Sequence, residues 1–205
     1  SNANITSAQA NTVDGYTTGI VTATISTTAI GDLDDLTGTG NAYTITVGTL
    51  DVTAAALNTV NAATTVNVTA TAVTKITGTS TELATTYGGG LTGLGNEAIT
   101  VSDNITHTKA NTINSYTSGI VTATLSTTAI GDLDDLNGTN NAYTITVGTA
   151  QVNASALNIV NGATTINITA TAVTQITGTA VQLATTYGGG MTGLGNEAIV
   201  LSNNI

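Results

Sequence analysis

The sequence predicts a repeat fold: a solenoid of right-handed coils, each about 25 residues long, with a parallel β-sheet on one face and short helices opposite. Three observations carry this expectation. The segment from Ala10 to Ile105 returns as Ala110 to Ile205, every match offset by 100 residues, with about three quarters of the positions identical and no gap. Within each copy, four smaller segments recur, each a helix-like stretch, a polar turn and an alternating strand. Aligned on Asn11, Asp34, Asn58, Ala84 and Asn111, they step by 23, 24, 26 and 27 residues, the size of one coil. The strands alternate with a period of two, so that one set of side chains faces inward and the other outward.

The elements follow in order. The first segment runs from Ser7 and ends in the strand IVTATIS; the second runs from Ala29 and ends in AYTITVG. The third runs from Val52 into TVNVTAT, and the longer fourth from Ile76 into AITVSD. Inward positions are Val21, Ala23 and Ile25, then Tyr43, Ile45 and Val47, then Val66 and Val68, then Ile99 and Val101. The other face is a hydroxyl array of Thr22, Thr24, Thr44, Thr46, Thr69, Thr71 and Thr100, interrupted by Asn67. Helical spacing places Ile30, Leu33 and Leu36 on one apolar stripe and Ala56, Leu57 and Val60 on another. Helices of two turns do not stand alone in water, so they must pack on the sheet. Two tandem β-sandwich domains of one hundred residues each are the alternative; the missing Trp and Pro and the short sub-period argue against them.

Differences between the copies refine the reading. Ile25, Val66, Val68 and Val101 become Leu125, Ile166, Ile168 and Leu201, small volume changes that a packed core tolerates. Asp14, Asp51, Lys75, Glu82 and Asp103 all become neutral amides, so these charges read as decoration rather than repeat chemistry.

Composition excludes several function classes. Two lysines face twelve acidic residues, a net charge of −10, opposite in sign to a phosphate-binding surface. Nucleic acid is therefore excluded as a partner, and no apolar run is long enough for direct membrane insertion. Ser1-Asn2-Ala3 matches the remnant of a cleaved tag, which marks residues 1–3 as foreign, 4–104 as the first repeat and 105–205 as its continuation. The absence of Cys fits an extracellular chain that needs no staples.

The segments AYTITVGT, ALNTVNAATTVNVTATAVTKITGT and LTGLGNEAITVS resemble the Thr/Ala/Gly-rich tandem repeat of giant cell-surface and secreted proteins of marine cyanobacteria, of the swimming-motility type. The likeness covers essentially everything after residue 3. It implies an extracellular location and a surface role, and it carries no catalytic signature; neighbouring repeats of the same chain are the partners the repetition leads one to expect, and cell-surface glycans those the Thr face does.

Candidate chemistry is sparse. The trio Asp32, Asp34 and Asp35 recurs intact as Asp132, Asp134 and Asp135 while other charges are lost, which makes it the metal candidate, with Ca²⁺ as the ion that oxygen clusters suit. The run GDLDDL lacks the spacing of known calcium loops. Its bland explanation is acidic residues in the first turn of a short helix, favoured by the dipole. The ranks of Thr offer an ice- or carbohydrate-binding face; Thr is also an ordinary choice for a solvated strand. Gly88, Gly90 and Gly93 match a dinucleotide fingerprint by spacing only, since the run follows a helix and leads into a strand. His107 is the single histidine, expected in a solvated loop, so no His-based triad is available. Glu97 and Glu197 precede strands, where a carboxylate can satisfy the backbone donors of a turn. The sequons at Asn67, Asn104 and Asn167 arise readily in so Thr-rich a chain. Identical units with no non-repeated polar cluster point to a structural or adhesive module and not to an enzyme.

Overall fold

A computed structural model describes residues 3–202, so Ser1 and Asn2 of the expected tag remnant lie outside the described residues. The chain divides into two compact units, Ser1–Ser102 with Tyr116–Gly119, and Asp103–Ser115 with Ile120–Ile205. The first holds β1 (Asn4–Ile5), α1 (Ser7–Asp14), β2 (Thr22–Ile25), α2 (Ile30–Leu33), β3 (Ala42–Thr44), β4 (Asp51–Thr53), α3 (Ala54–Ala62), β5 (Val68–Thr69), β6 (Lys75–Gly78), α4 (Ser80–Gly88) and β7 (Leu91–Thr92). The division falls inside β8 (Ala98–Ile105). The second unit holds α5 (His107–Asn114), β9 (Val121–Leu125), α6 (Ile130–Leu133), β10 (Ala142–Thr144), β11 (Gln151–Asn153), α7 (Ala154–Gly162), β12 (Ile168–Thr169), β13 (Gln175–Gly178), α8 (Ala180–Gly188), β14 (Met191–Thr192) and β15 (Ala198–Leu201).

The expected solenoid is overturned. Among the described residues the chain is a mixed α/β fold of eight helices and several small parallel sheets, with no single sheet running along one face. The reason lies in strands the alternation did not reveal. β4 and β6 flank α3 and α4 and pair in parallel, Val52 beside Ile76, and β6 pairs in turn with β8, Ile76 beside Ile99. Meanwhile β1, β2 and β3 form a separate sheet, and β5 pairs with β7. The strands expected to lie side by side are thus shared among different sheets. The β-sandwich alternative fails as well, because these pairings are parallel and sandwiches are antiparallel.

Helix starts are written in threonine. Thr6 Oγ1 accepts from Gln9 N at 3.2 Å while Gln9 Oε1 accepts from Thr6 N at 2.9 Å, a capping box. Thr79 with Glu82 and Thr179 with Gln182 build the same box on α4 and α8. The four-residue α2 and α6 have no local side-chain cap; their Ile30 and Ile130 N–H groups donate to Thr49 and Thr149 Oγ1 respectively, each at 2.9 Å. Each such bond satisfies a donor that a helix N-terminus otherwise leaves to solvent.

The apolar stripes pack as the spacing predicts at most positions. Leu33, Leu36, Leu57 and Val60 are buried, and so are Val21, Ala23, Ile25, Tyr43, Ile45, Val47, Val68, Ile99 and Val101. Val66 and Ile166 are exceptions: expected inward, they are 38% and 39% exposed. They lie in the turn after a helix, where the Val66 N–H is held by Thr64 Oγ1 at 3.1 Å and the strand has not yet begun. Leu201, equivalent to the buried Val101, is 63% exposed. On the other face, Thr24, Thr69 and Thr100 are half-buried rather than open.

Buried polar side chains form recurrent rungs. Thr64 Oγ1 accepts from Tyr43 N at 3.0 Å and donates to Tyr43 O at 2.7 Å, and Thr164 does the same for Tyr143. Asn41 Oδ1 accepts from Val21 N, and its amide donates to Asp14 Oδ1 at 2.8 Å; Asn141 repeats both bonds, with Asn114 as the acceptor. Asn58 donates to Glu82 O and accepts from the Thr86 hydroxyl, as Asn158 does with Gln182 O and Thr186. The Asn41 bond to Asp14 and the Thr79 N–H bond to the Glu82 carboxylate correct the reading of Asp14 and Glu82 as decoration. Their charge is dispensable, but the oxygen is not, and the amides Asn114 and Gln182 keep it. The Asp51 and Lys75 change is likewise paired: they are direct cross-strand neighbours, and so are Gln151 and Gln175.

Among the described residues one buried side-chain polar atom is left over. The Tyr143 hydroxyl has no hydrogen-bond partner, in a residue wholly removed from solvent. Burial pushes its pKa up to about 12. Tyr143→Phe is therefore expected to raise the stability of the second unit by about 1 kcal/mol, because it removes an orphaned polar atom without removing the ring. The folded-state pKa lies above the ordinary 10.0, so the protonated form is favoured in the fold and stability is lost as pH rises from 10 towards 12. Denaturant midpoints measured across that range check both points: a lower midpoint for the phenylalanine variant at neutral pH contradicts the first, and an unchanged alkaline slope the second.

Candidate functional site

The most elaborate polar cluster grows from the turn between β7 and β8. Gly93 and Gly95 adopt φ of +88° and +128°, and a Cβ on Gly93 would run into Thr71. The turn so formed aims the Gly95 and Asn96 N–H groups at one point. Glu97 occupies it: its Oε2 accepts from Gly95 N at 2.7 Å and from Asn96 N at 3.0 Å, and its Oε1 accepts from the Tyr87 hydroxyl. Glu97 is 2% exposed. The expectation that this carboxylate satisfies turn donors holds, and the glycine run does follow a helix and lead into a strand.

Tyr116 completes the cluster. Its ring stacks on Tyr87 with centroids 4.6 Å apart and planes 11° from parallel. Next to it, Thr117 Oγ1 donates to Glu97 O at 2.6 Å and Ser118 N donates to Gly95 O at 2.8 Å. Burial, the hydrogen bond to Glu97 and its negative charge together raise the Tyr87 pKa far above the ordinary 10.0. In the second unit, Glu197 accepts the same bonds from Gly195, Asn196 and Tyr187. Burial there raises the Glu197 pKa, but the Tyr187 hydroxyl and the backbone N–H groups outweigh it and hold the carboxyl below 4.5. A tyrosine whose ionisation is disfavoured and a carboxylate whose oxygens already accept hydrogen bonds hold the turn as a clasp.

The acidic trio is not gathered. Asp32 lies exposed in the first turn of α2, Asp34 is half-buried at its C-cap, and Asp35 is exposed just beyond; Asp132, Asp134 and Asp135 repeat this on α6. Among the described residues no three His, Cys, Asp or Glu side chains come together to hold a metal ion. The role visible at this turn belongs to the backbone, since Asn11 donates to Asp35 O at 2.8 Å and Asn111 to Asp135 O at 2.9 Å. Asp34 does share a cleft of about 360 Å³ with Asp51 and Lys75, and both of the latter are amides in the second copy. A second, polar cleft of about 330 Å³ is lined by Asp14, Thr17, Gly19, Ile20, Gly38 and Asn41 among others.

His107, expected in a loop, instead opens α5 and is half-buried, its N–H donating to Thr127 Oγ1 at 3.0 Å. Asn67, Asn104 and Asn167 of the sequons are exposed. The hydroxyl ranks are divided: Thr24 lies beside Thr44 in one sheet, and Thr53, Thr77 and Thr100 line up in another. No described helix is long and apolar enough to cross a membrane. No family model matches the chain, and no curated protein or solved structure matches it.

Sequence reasoning missed the stacked tyrosines and the buried threonines Thr64 and Thr86. The tyrosines had a signal, since the chain has six and all recur at the 100-residue offset. Buried threonine carries none, because in sequence it reads as strand surface.

Proposed function

We propose that the chain is a non-catalytic structural or adhesive repeat module of a large bacterial cell-surface or secreted protein. One observation carries the reading: the buried polar groups Asn41, Thr64 and Thr86 are engaged by backbone or neighbouring side chains, and their counterparts Asn141, Thr164 and Thr186 are engaged the same way. A catalytic site keeps convergent polar groups available to substrate. Here they are consumed in holding one segment to the next, and the duplicated pattern favours length and regularity over a unique site. The strongly acidic, hydroxyl-rich exterior and the likeness to surface-protein repeats support the location.

The test uses antibodies raised against the purified chain. They are expected to label intact cells of the organism that makes it, with the label removed by protease added outside. Labelling that appears only after permeabilisation would overturn the surface reading. Saturable turnover of a polysaccharide or peptide by the purified chain would overturn the non-catalytic one.

A further inference from the structure

The first unit contains a contact whose two halves both occur again, exposed, elsewhere in the chain. Tyr116–Gly119, from the second copy of the repeat, closes over the Gly95-Asn96-Glu97 turn of the first. Four features define the fit: the stacking of Tyr116 on Tyr87, Thr117 Oγ1 on Glu97 O at 2.6 Å, Ser118 N on Gly95 O at 2.8 Å, and the close approach of Gly119, where a Cβ would run into the Glu97 carbonyl oxygen. That last point demands glycine.

Both halves are duplicated with their chemistry intact. Tyr16-Thr17-Thr18-Gly19 keeps the tyrosine, the hydroxyls and the glycine; Tyr187 and Gly195-Asn196-Glu197 are unchanged. They are also already in shape. Gly19 N donates to Thr17 Oγ1 at 2.9 Å, as Gly119 N does to Thr117 Oγ1. Gly195 has φ of +130° against +128° at Gly95, and Glu197 holds the turn through the same bonds as Glu97. Yet these halves are open to solvent: Tyr16 is 83% exposed, Ile20 74%, Tyr187 46% and Leu201 63%. A Cβ on Gly19 would meet only its own Thr17 Oγ1, at 3.3 Å, a tight contact that a shift of a few tenths of an ångström in that side chain relieves, whereas on Gly119 it would meet fixed backbone.

We propose that a second copy of this chain binds head to tail, its Tyr187 and Gly195–Glu197 turn receiving Tyr16–Gly19 of the first. Tyr16 stacks on Tyr187 of the partner copy, Thr17 and Thr18 reach the carbonyls of the partner's Glu197 and Gly195, and Gly19 passes beneath. The interface uses two different surfaces, so each addition leaves one of each free and growth is open-ended. Each copy carries −10, so repulsion opposes association at low ionic strength and salt strengthens it.

The test is sedimentation and light scattering of the purified chain from micromolar to millimolar concentration, at low and moderate salt. Average mass is expected to rise with concentration past the dimer, more so with salt. Gly19→Val lowers the melting temperature only slightly, through its contact with Thr17, and lowers the association constant roughly 100-fold, because the added side chain meets the partner's backbone. Tyr187→Ala weakens association independently. A mixture of these two variants retains one good surface on each chain and is expected to stop at dimers. A chain that stays monomeric throughout, or a closed dimer indifferent to Gly19→Val, overturns the proposal. The readout needs no cells, so its failure is distinct from failure of the surface reading.

Discussion

Val68→Asp is expected to unfold the first unit, while Thr69→Asp leaves it folded. The two residues are adjacent in β5 and differ in the face they present. Val68 is fully buried and its N–H donates to Gly90 O at 2.9 Å, so its side chain has no route to water. Thr69 is half-buried. An unpaired carboxylate in such a core costs about 4 kcal/mol or more, on top of the lost packing of the valine. That is a large share of the 5–15 kcal/mol, roughly, that holds a whole domain together. At Thr69 the carboxylate can turn to solvent, and about 1 kcal/mol covers the lost strand preference. The second unit supplies the control, since it has its own fully buried set in Tyr143, Ile145, Leu157, Ile168 and Ile176. Amide exchange, read separately for peptides of each unit, should show loss of protection in the first unit for the aspartate at 68 alone. Equal protection in both variants would mean that the strand register is wrong.

The register was legible because β2, β3 and β8 are flanked by enough alternating residues for a period of two to stand out. Their pairing was not. A strand of three residues, such as Asp51–Thr53, has no measurable period, and it sits directly against the Thr53 cap of α3, so it reads as the lead-in to a helix. Which neighbour such a strand chooses is decided by contacts 24 residues away, Val52 with Ile76, to which no local pattern points. The expectation of one sheet followed from assigning a single strand to each segment. Val66 failed for a related reason: alternation was carried two residues back into a turn. The helices were easier, because Leu33, Leu57 and Val60 declare their stripe by spacing alone. Their capping boxes were there to be read, with Thr6, Thr79 and Thr179 each three residues before Gln9, Glu82 and Gln182. Of the candidate site, Glu97 followed from its place before a strand. Its partners Tyr87 and Tyr116 did not, because a stack between residues 29 apart is a product of the fold.

The same clasp in two settings makes the sharpest comparison. Glu97→Ala is expected to destabilise far more than Glu197→Ala, although each glutamate accepts one tyrosine hydroxyl and two turn N–H groups. The difference is access to water. Glu97 is 2% exposed and covered by Tyr116 to Gly119, so its loss strands three donors, each costing roughly 1–3 kcal/mol, for a total of several kcal/mol. Glu197 is more open and its tyrosine is 46% exposed, so water replaces the carboxylate and the loss is about 1 kcal/mol. Acidity should separate the states as well. The Glu197 pKa is held below 4.5, so its contribution is complete above that value and disappears as pH falls through the folded-state pKa. Tyr187 is pushed up to about 12 from 10.0, so its contribution is complete below pH 10 and disappears as pH rises towards 12. Protection of the Gly195 and Asn196 amides should therefore be greatest between those limits and decline on both sides, and in Glu197→Ala the acidic decline should be absent. Equal destabilisation by the two alanine substitutions would show that burial does not set the strength of the clasp, and would remove the physical ground for treating the exposed copy as an interface waiting for its cover.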